Sequence, residues 1–258
     1  MMNLIRIWTI AQNTFWQVMR DRVLYVIIIF IILMFGAAGL LPEIAATTED
    51  KITLDFGIAM ISLLSLIITL FASTALINQE IEKRTVYLLV AKPISRVELI
   101  LGKHLGLSSI LWILIATMML FYFLVLSWNK IPYPSMSLTL AGVFIWLKLS
   151  LMVAVGLLFG VLTNSLLATL LTLGVYVMGS LSRDLLNIGQ FSENISIERL
   201  MNGLYLILPD LARLDLKNDA VYGQLPTLPI LMTNIGYGLL YTILLLSIAI
   251  SLFSRREF

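Results

Sequence analysis

Six long apolar stretches run along this chain, and each approaches the length of a membrane span. A helix needs about 20 mostly apolar residues to cross the hydrocarbon of a bilayer. Each stretch must be helical, because a lone strand in hydrocarbon would leave its backbone amides without hydrogen-bond partners. The sequence therefore predicts an all-α, polytopic membrane protein with about six transmembrane helices. The stretches are residues 23–41, 56–77, 105–127, 138–162, 165–181 and 230–253, of which the fifth is the shortest.

The composition excludes several other classes of protein. Apolar residues make up 60% of the 258 residues and charged residues only 12%, whereas soluble domains are roughly 45 to 50% apolar. The stretches leave no room for a separate globular module, so residues 1–258 are expected to form a single membrane domain. The net charge of +2 is spread over several loops, and nucleic acid is not an expected partner. The absence of cysteine excludes disulfides and thiolate metal sites.

The positions of lysine and arginine predict the orientation, because cytoplasmic loops of membrane proteins carry an excess of these residues. With the N-terminus in the cytoplasm, the short outer loops hold only Lys51 and Lys130. Both termini are therefore predicted to be cytoplasmic. The first stretch is longer than the apolar region of a signal peptide and is expected to remain in the mature chain. The basic residues of the inner segments are Arg6, Arg20, Arg22, Lys83, Arg84, Lys92, Arg96, Lys103, Arg255 and Arg256.

Residues 1–22 precede the first span and show apolar side chains at helical spacing. This pattern predicts an interfacial helix on the inner leaflet, and a cytoplasmic helix packed against its own protein fits it equally well. The repeating apolar residues are Leu4, Trp8, Ala11, Phe15 and Val18.

Residues 182–229, called the outer segment below, are too many for a plain loop and are expected to carry structure of their own. Ile195, Leu200, Leu204 and Leu208 predict a short amphipathic helix that ends at Pro209. A return into the outer leaflet is one arrangement that the length of the segment allows.

The predicted cytoplasmic loop, residues 78–103, reads as two helices. The first continues from the second span to about residue 90, and Pro93 then interrupts it because proline disfavours helix at the preceding residue. Ser95 can cap a second helix with Glu98 at its third position, which is the arrangement of a capping box. That helix leads into the third span. This pair of charged helices could receive force from a soluble motor protein. Alternatively, the segment could simply be a solvated loop.

Lys148 lies within the fourth stretch, about 16 Å from its start at 1.5 Å per residue. Burial of a charge in a membrane costs several kcal/mol unless the charge finds water or a partner, so the residue is a functional candidate. It could line a translocation path or a dimer interface. The alternatives are an extended side chain that reaches the outer surface, or a span that begins later than assigned.

Small residues in two spans permit close approach of helices, either within one subunit or between subunits. Gly156 and Gly160 form a Gly-x-x-x-Gly pattern in the fourth stretch, and Gly36 and Gly39 lie close together in the first.

Other functions are argued against by what the sequence lacks. No phosphate-binding loop occurs, since Gly102 and Lys103 are followed by His104 and have no upstream glycine at the required spacing. An intramembrane enzyme would need a metal site, a serine with a base, or paired carboxylates. The chain has a single histidine and no acidic residue deep in a span. A membrane scaffold that anchors a partner without transport stays open as an alternative.

The cytoplasmic loop carries a distinctive pattern, in which an acidic residue, a basic pair, threonine and two leucines precede Lys-Pro-x-Ser-Arg, Glu and Leu-Gly-Lys. The residues are Glu80, Glu82, Lys83, Arg84, Thr85, Leu88, Leu89, Lys92, Pro93, Ser95, Arg96, Glu98, Leu101, Gly102 and Lys103. This loop resembles the cytoplasmic loop of ABC-2-type transporter permeases. The six-span layout, the N-terminal helix, the long outer segment and a C-terminal Arg-Arg-x-Phe extend the resemblance over nearly the whole chain.

The resemblance implies a permease that forms a dimer with itself or a paralogue and docks two cytosolic ATP-binding subunits. ATP would be bound and hydrolysed on those partners, with no cofactor on this chain. The resemblance further implies export across a bacterial inner membrane and re-entrant helices in the outer segment. In such permeases the cytoplasmic loop forms the coupling helix, so its ATPase-contacting residues here would be Gln79, Glu80, Glu82, Lys83, Arg84 and Thr85.

Overall fold

The computed structural model describes residues 4–44, 49–82, 95–182 and 195–255, and most of them are helical. A π-helical turn, Met19–Val23, joins α1 to α2, and a 3-10 helix, Leu211–Leu214, precedes α8. These described ranges contain no strand, which confirms the all-α prediction. The helices are α1 (Leu4–Val18), α2 (Leu24–Ile44), α3 (Glu49–Glu82), α4 (Arg96–Trp128), α5 (Ser135–Leu162), α6 (Ser165–Ser180), α7 (Ile195–Ile207), α8 (Lys217–Val221) and α9 (Leu228–Arg255).

All six predicted stretches are helical. Within the described part of the chain, four helices are long and apolar enough to cross a membrane, namely α3, α4, α5 and α9. The first and fifth stretches correspond to α2 and α6, which contribute the shorter apolar helical segments Leu24–Leu40 and Ser165–Ser180. The predicted amphipathic helix of the outer segment is α7, which ends just before Pro209. This arrangement agrees with a polytopic membrane protein.

Local signals explain where the long helices begin and end. The predicted capping box is present, with the Glu98 amide donating to Ser95 Oγ at 3.2 Å and the Ser95 amide donating to Glu98 Oε2 at 2.9 Å. From this cap α4 runs without a break to Trp128, so the second helix of the cytoplasmic loop does lead into the third span. Asn164 caps α6, because its side-chain oxygen accepts from the Leu167 amide at 3.0 Å. The predicted break at Pro93 lies outside the described residues.

Helix α5 lies at the centre of the bundle. It packs against α3, α4, α6, α8 and α9. In its most apolar window 78% of the residues are buried, compared with 28% for α9, which therefore lies at the edge of the bundle. Any side chain on α5 is consequently surrounded by protein from several directions.

Helix α1 packs along the first turns of α4, through Ile7, Ala11, Thr14 and Val18. Two members of the predicted apolar face, Leu4 and Trp8, instead remain 73% and 70% exposed. The apolar band of α1 is wider than its contact with α4, so part of it is buried against its own protein and part faces outward. One side of this helix thus contacts its own protein, and an interfacial position for the exposed side stays a prediction.

The two glycine pairs have different surroundings. A methyl group at Gly156 would collide with the side chain of Ser73, so this glycine allows α5 and α3 to approach closely within one subunit. Gly36 and Gly39 have no atom within 4 Å of an added Cβ, so no contact of the described chain requires a glycine at either position.

Substitution of Gly106 tests the close packing of α1 on α4. A Cβ at this position would lie 2.6 Å from the Ala11 carbonyl oxygen and 2.8 Å from Thr14 Cβ. We expect Gly106→Ala to cost about 1 to 3 kcal/mol of stability, because the two helices must separate. The measurement is the thermal unfolding midpoint of the detergent-purified protein. The matched control is Gly36→Ala, which we expect to change stability by less than about 0.5 kcal/mol; equal midpoints for the two variants would contradict the packing.

Candidate functional site

Three of the six predicted coupling residues lie in α3, and the other three follow its last described residue in the sequence. Gln79, Glu80 and Glu82 belong to the last turn of α3, although their side chains lie outside the described residues. Lys83, Arg84 and Thr85 lie outside them entirely. The structure therefore describes the end of α3 and the start of α4, which flank the coupling loop. The contacts of the six residues stay predictions.

The lengths of α3 and α4 show how far these two helices extend relative to the hydrocarbon core. Helices α3 and α4 contain 34 and 33 residues, which corresponds to about 50 Å each at 1.5 Å per residue. The hydrocarbon core is about 30 Å thick. Both helices must therefore project beyond it, and for α4 most of the excess precedes the predicted span, at the end that carries Arg96 and Lys103. We call this the inner end, after the predicted orientation.

Two side chains of α4 tie the helices together at the inner end. Lys103 is buried and its Nζ donates to the Leu76 carbonyl oxygen of α3 at 2.7 Å. Arg96 Nη1 donates to the carbonyl oxygens of Phe253 and Ser254 at 2.7 and 2.5 Å. The last carbonyl groups of a helix lack partners within the helix, so Arg96 completes the end of α9. We call Arg96 and Lys103, with their carbonyl partners, the inner clamp.

Lys148, the second predicted site, lies halfway along α5 and is fully buried. Its Nζ contacts Asp215 Oδ2 at 2.8 Å and lies 5.6 Å from the centre of the Tyr176 ring. The side chain does not reach the surface, because the outer segment brings a carboxylate to it. Sequence reasoning did not identify Asp215, which is 67 residues away along the chain.

Asp215 belongs to a short, irregular part of the outer segment that enters the bundle. We call residues 209–222 the wedge. Its 3-10 helix packs against α5, α6 and α9, and α8 packs against α3 and α5. The apolar side chains that it buries are Leu211, Leu214, Leu216, Ala220 and Val221.

Hydrogen bonds hold the beginning of the wedge. Asp210 is buried and accepts from Ser182 Oγ at 2.7 Å and from Arg213 Nε at 2.9 Å. Its amide donates to the hydroxyl oxygen of Tyr237 at 2.7 Å. Asp210 thereby connects the wedge to the end of α6 and to α9.

The charge of Asp215 is stabilised where it lies. Burial raises the pKa of its carboxyl, but Lys148 and Lys217 lower it by more, so the pKa lies below its ordinary value. Lys217 Nζ is 3.3 Å from the same oxygen, Oδ2. The carboxylate is therefore ionised at neutral pH and lies between two lysines.

Comparison with known protein families decides the identity of the chain. A model of the ABC-2 family transporter proteins matches residues 8–258. The chain belongs to this family. None of the curated proteins matches it.

An ABC-2 permease is the transmembrane component of its transporter and is normally not catalytic itself. The family implies an ABC ATPase as partner and the lipid bilayer as surroundings. In this permease His104 is held by the main chain, since its Nε2 lies 3.1 Å from the Ser150 carbonyl oxygen. Within the described ranges, no three histidine or acidic side chains come together in a way that could hold a metal ion.

The two members of the buried ion pair should differ in how well the permease tolerates their loss. Asp215→Asn leaves Lys148 buried without its carboxylate, which we expect to cost about 3 to 5 kcal/mol. Lys148→Met leaves Asp215 paired with Lys217 and replaces the lysine by an apolar chain of similar length, so we expect a cost of about 1 kcal/mol or less.

The measurement is again the thermal unfolding midpoint in detergent. The control is Asp219→Asn, which removes an exposed carboxylate four residues from Asp215 and should leave the midpoint unchanged. A larger loss for Lys148→Met than for Asp215→Asn would show that the lysine, and not Asp215, makes the essential contacts.

Proposed function

We propose that this permease is half of a dimeric membrane domain of an ATP-driven exporter in a bacterial inner membrane, with both termini in the cytoplasm. Two ATPase subunits bind the cytoplasmic loop, and their nucleotide-dependent closure drives alternating access of the bundle. The partner of the dimer is a second copy or a paralogue. ATP is bound only by the ATPase subunits.

The inner clamp is the observation that carries this proposal. The coupling loop begins at the end of α3 and returns at the start of α4, and Lys103 joins these two helices at Leu76. Arg96, the first residue of α4, also holds the end of α9. Because three helices meet at the base of one loop, a force on that loop would move all three together.

The structure favours transmission over simple anchoring for the same reason. A scaffold needs a surface that a partner can hold, but it needs no rigid connection from that surface into the bundle. Here the capping box fixes the first turn of α4, and the helix, 33 residues long in all, then continues through the bundle. Arg96 and Lys103 are therefore positioned to pass motion from the loop to the spans.

Charge reversal in the coupling loop tests the docking of the ATPase. The double substitution Glu82→Lys with Arg84→Glu keeps both the net charge and the number of basic residues, so membrane orientation should not change. We expect the amount of ATPase that co-purifies with the tagged permease from mild detergent to fall by about tenfold or more.

Asp50→Asn is the control, since it removes an exposed charge near the opposite end of α3 without adding a basic residue, and it should leave ATPase recovery unchanged. Full recovery of the ATPase with the double variant would remove the loop from the docking surface. Absence of any ATPase from the unaltered permease would instead favour the scaffold.

Arg96 tests transmission separately from docking. Arg96→Ala should leave the ATPase bound but reduce the stimulation of its ATP hydrolysis by the permease, because α9 is released from α4. We expect at least a threefold loss of stimulation, which corresponds to roughly 0.7 kcal/mol of coupling. The assay is ATP hydrolysis by the co-purified complex in lipid.

Arg255→Ala is the matched control at the end of α9, where it removes an exposed arginine of the same inner end. It should leave both binding and stimulation unchanged. If Arg96→Ala detached the ATPase, the arginine would belong to the docking surface and not to the transmission of motion.

A further inference from the structure

The wedge depends on side-chain contacts for its position. Its regular elements are a four-residue 3-10 helix and a five-residue α-helix. Helices this short are not stable by themselves, since few of their backbone groups pair within the element. Contacts with the surrounding long helices must therefore hold the wedge in place.

Those contacts differ between the two ends and the middle of the wedge. Asp210 holds its beginning to Ser182 and Tyr237. Near its other end Tyr222 lies beneath Lys51 of α3, with Nζ 5.1 Å from the ring centre. In the middle, the ion pair of Asp215 with Lys148 joins the wedge to the central helix.

Asp215 has a second counter-charge, Lys217, within the wedge itself. Asp215 Oδ2 is 2.8 Å from Lys148 Nζ and 3.3 Å from Lys217 Nζ. Lys217 moves with the wedge, whereas Lys148 belongs to α5. If the wedge left α5, the carboxylate would keep Lys217 as its counter-charge. The side chain of Asp215 is also 30% exposed and that of Lys148 only 1%, so water can reach the carboxylate first.

We propose that the Lys148–Asp215 ion pair is a latch that holds the wedge closed, and that the wedge leaves α5 when substrate crosses the membrane domain. The inference rests on the proposed transport function. Opening exchanges the contact of Asp215 with Lys148 for its contact with Lys217 and water. It uncovers the side chains that the closed wedge buries, among them Ala220.

A single introduced cysteine can report this opening, because the natural chain contains none. Ala220→Cys places a thiol on the buried side of α8, and the test is its rate of modification by a water-soluble maleimide in the detergent-purified full chain. We expect Asp215→Asn to raise this rate by about tenfold or more, since modification of a buried thiol follows local opening. Asn218→Cys, on the exposed side of α8, should react rapidly in both backgrounds.

Lys148→Met separates a latch from simple damage by a buried unpaired lysine. It should also raise the modification of Ala220→Cys, but by less than Asp215→Asn does, because it leaves no unpaired lysine buried beneath the wedge. The variant with both substitutions should react no faster than either single variant, because both remove the same interaction. An effect of Asp215→Asn without an effect of Lys148→Met would overturn the latch.

Two controls distinguish local opening of the wedge from general loosening of the bundle. Asp219→Asn should leave the modification of Ala220→Cys unchanged, since it removes an exposed carboxylate from the same short helix. A thiol at the buried position Ala154 of α5 should stay protected in the Asp215→Asn background. Equal acceleration at Ala154 and Ala220 would mean that the whole bundle loosens, which would also overturn the proposal.

Nucleotide distinguishes failure of the latch from failure of the transport function. With the ATPase bound and ATP present, we expect faster modification of Ala220→Cys in the otherwise unaltered permease. If the latch substitutions accelerate modification but ATP does not, the ion pair closes the wedge and the proposal of ATP-driven opening is wrong. If the latch substitutions have no effect, the latch is wrong whatever ATP does.

Discussion

The need to neutralise a lysine inside the bundle organises the part of this permease around the wedge. Lys148 lies midway along the most enclosed helix, where a charge without a partner would cost several kcal/mol. The chain meets this need with Asp215, and to deliver that carboxylate it must bring a wedge of irregular backbone between four long helices. Asp210 and its partners at Ser182 and Tyr237 then fix where the wedge enters.

At the inner end, backbone carbonyl groups likewise need partners. The last carbonyls of α9 have no partners within their helix, and Arg96 of α4 supplies the donors. Lys103 adds a bond to the Leu76 carbonyl of α3. Cations thus fasten the bundle at two places, through a carboxylate midway along α5 and through main-chain oxygens at the inner end. The central helix α5 contacts the helices that carry each set of contacts.

Much of the fold could be predicted from sequence because hydrocarbon requires long apolar helices, and local signals such as Ser95 with Glu98 mark where they begin. Contacts between distant residues could not. The pairing of Lys148 with Asp215 depends on how the outer segment folds back, and Asp215 is one of six acidic residues in that segment. A buried lysine in a span was the available signal, since it demands a carboxylate from elsewhere. The sequence of α1 also does not show that Leu4 and Trp8 stay uncovered by protein, because the position of α4 decides which of its apolar residues are covered.

The distance between Lys148 and Asp215 along the chain has a consequence for biosynthesis. The carboxylate is made 67 residues after the lysine. At a synthesis rate of about 5 to 20 residues per second, the ribosome needs about 3 to 13 seconds to reach it. During that interval α5 has its lysine but not the counter-charge. Packing of the wedge against this helix must therefore wait for a later part of the polypeptide, which makes completion of the contacts around Lys148 a late event in the synthesis of the protein.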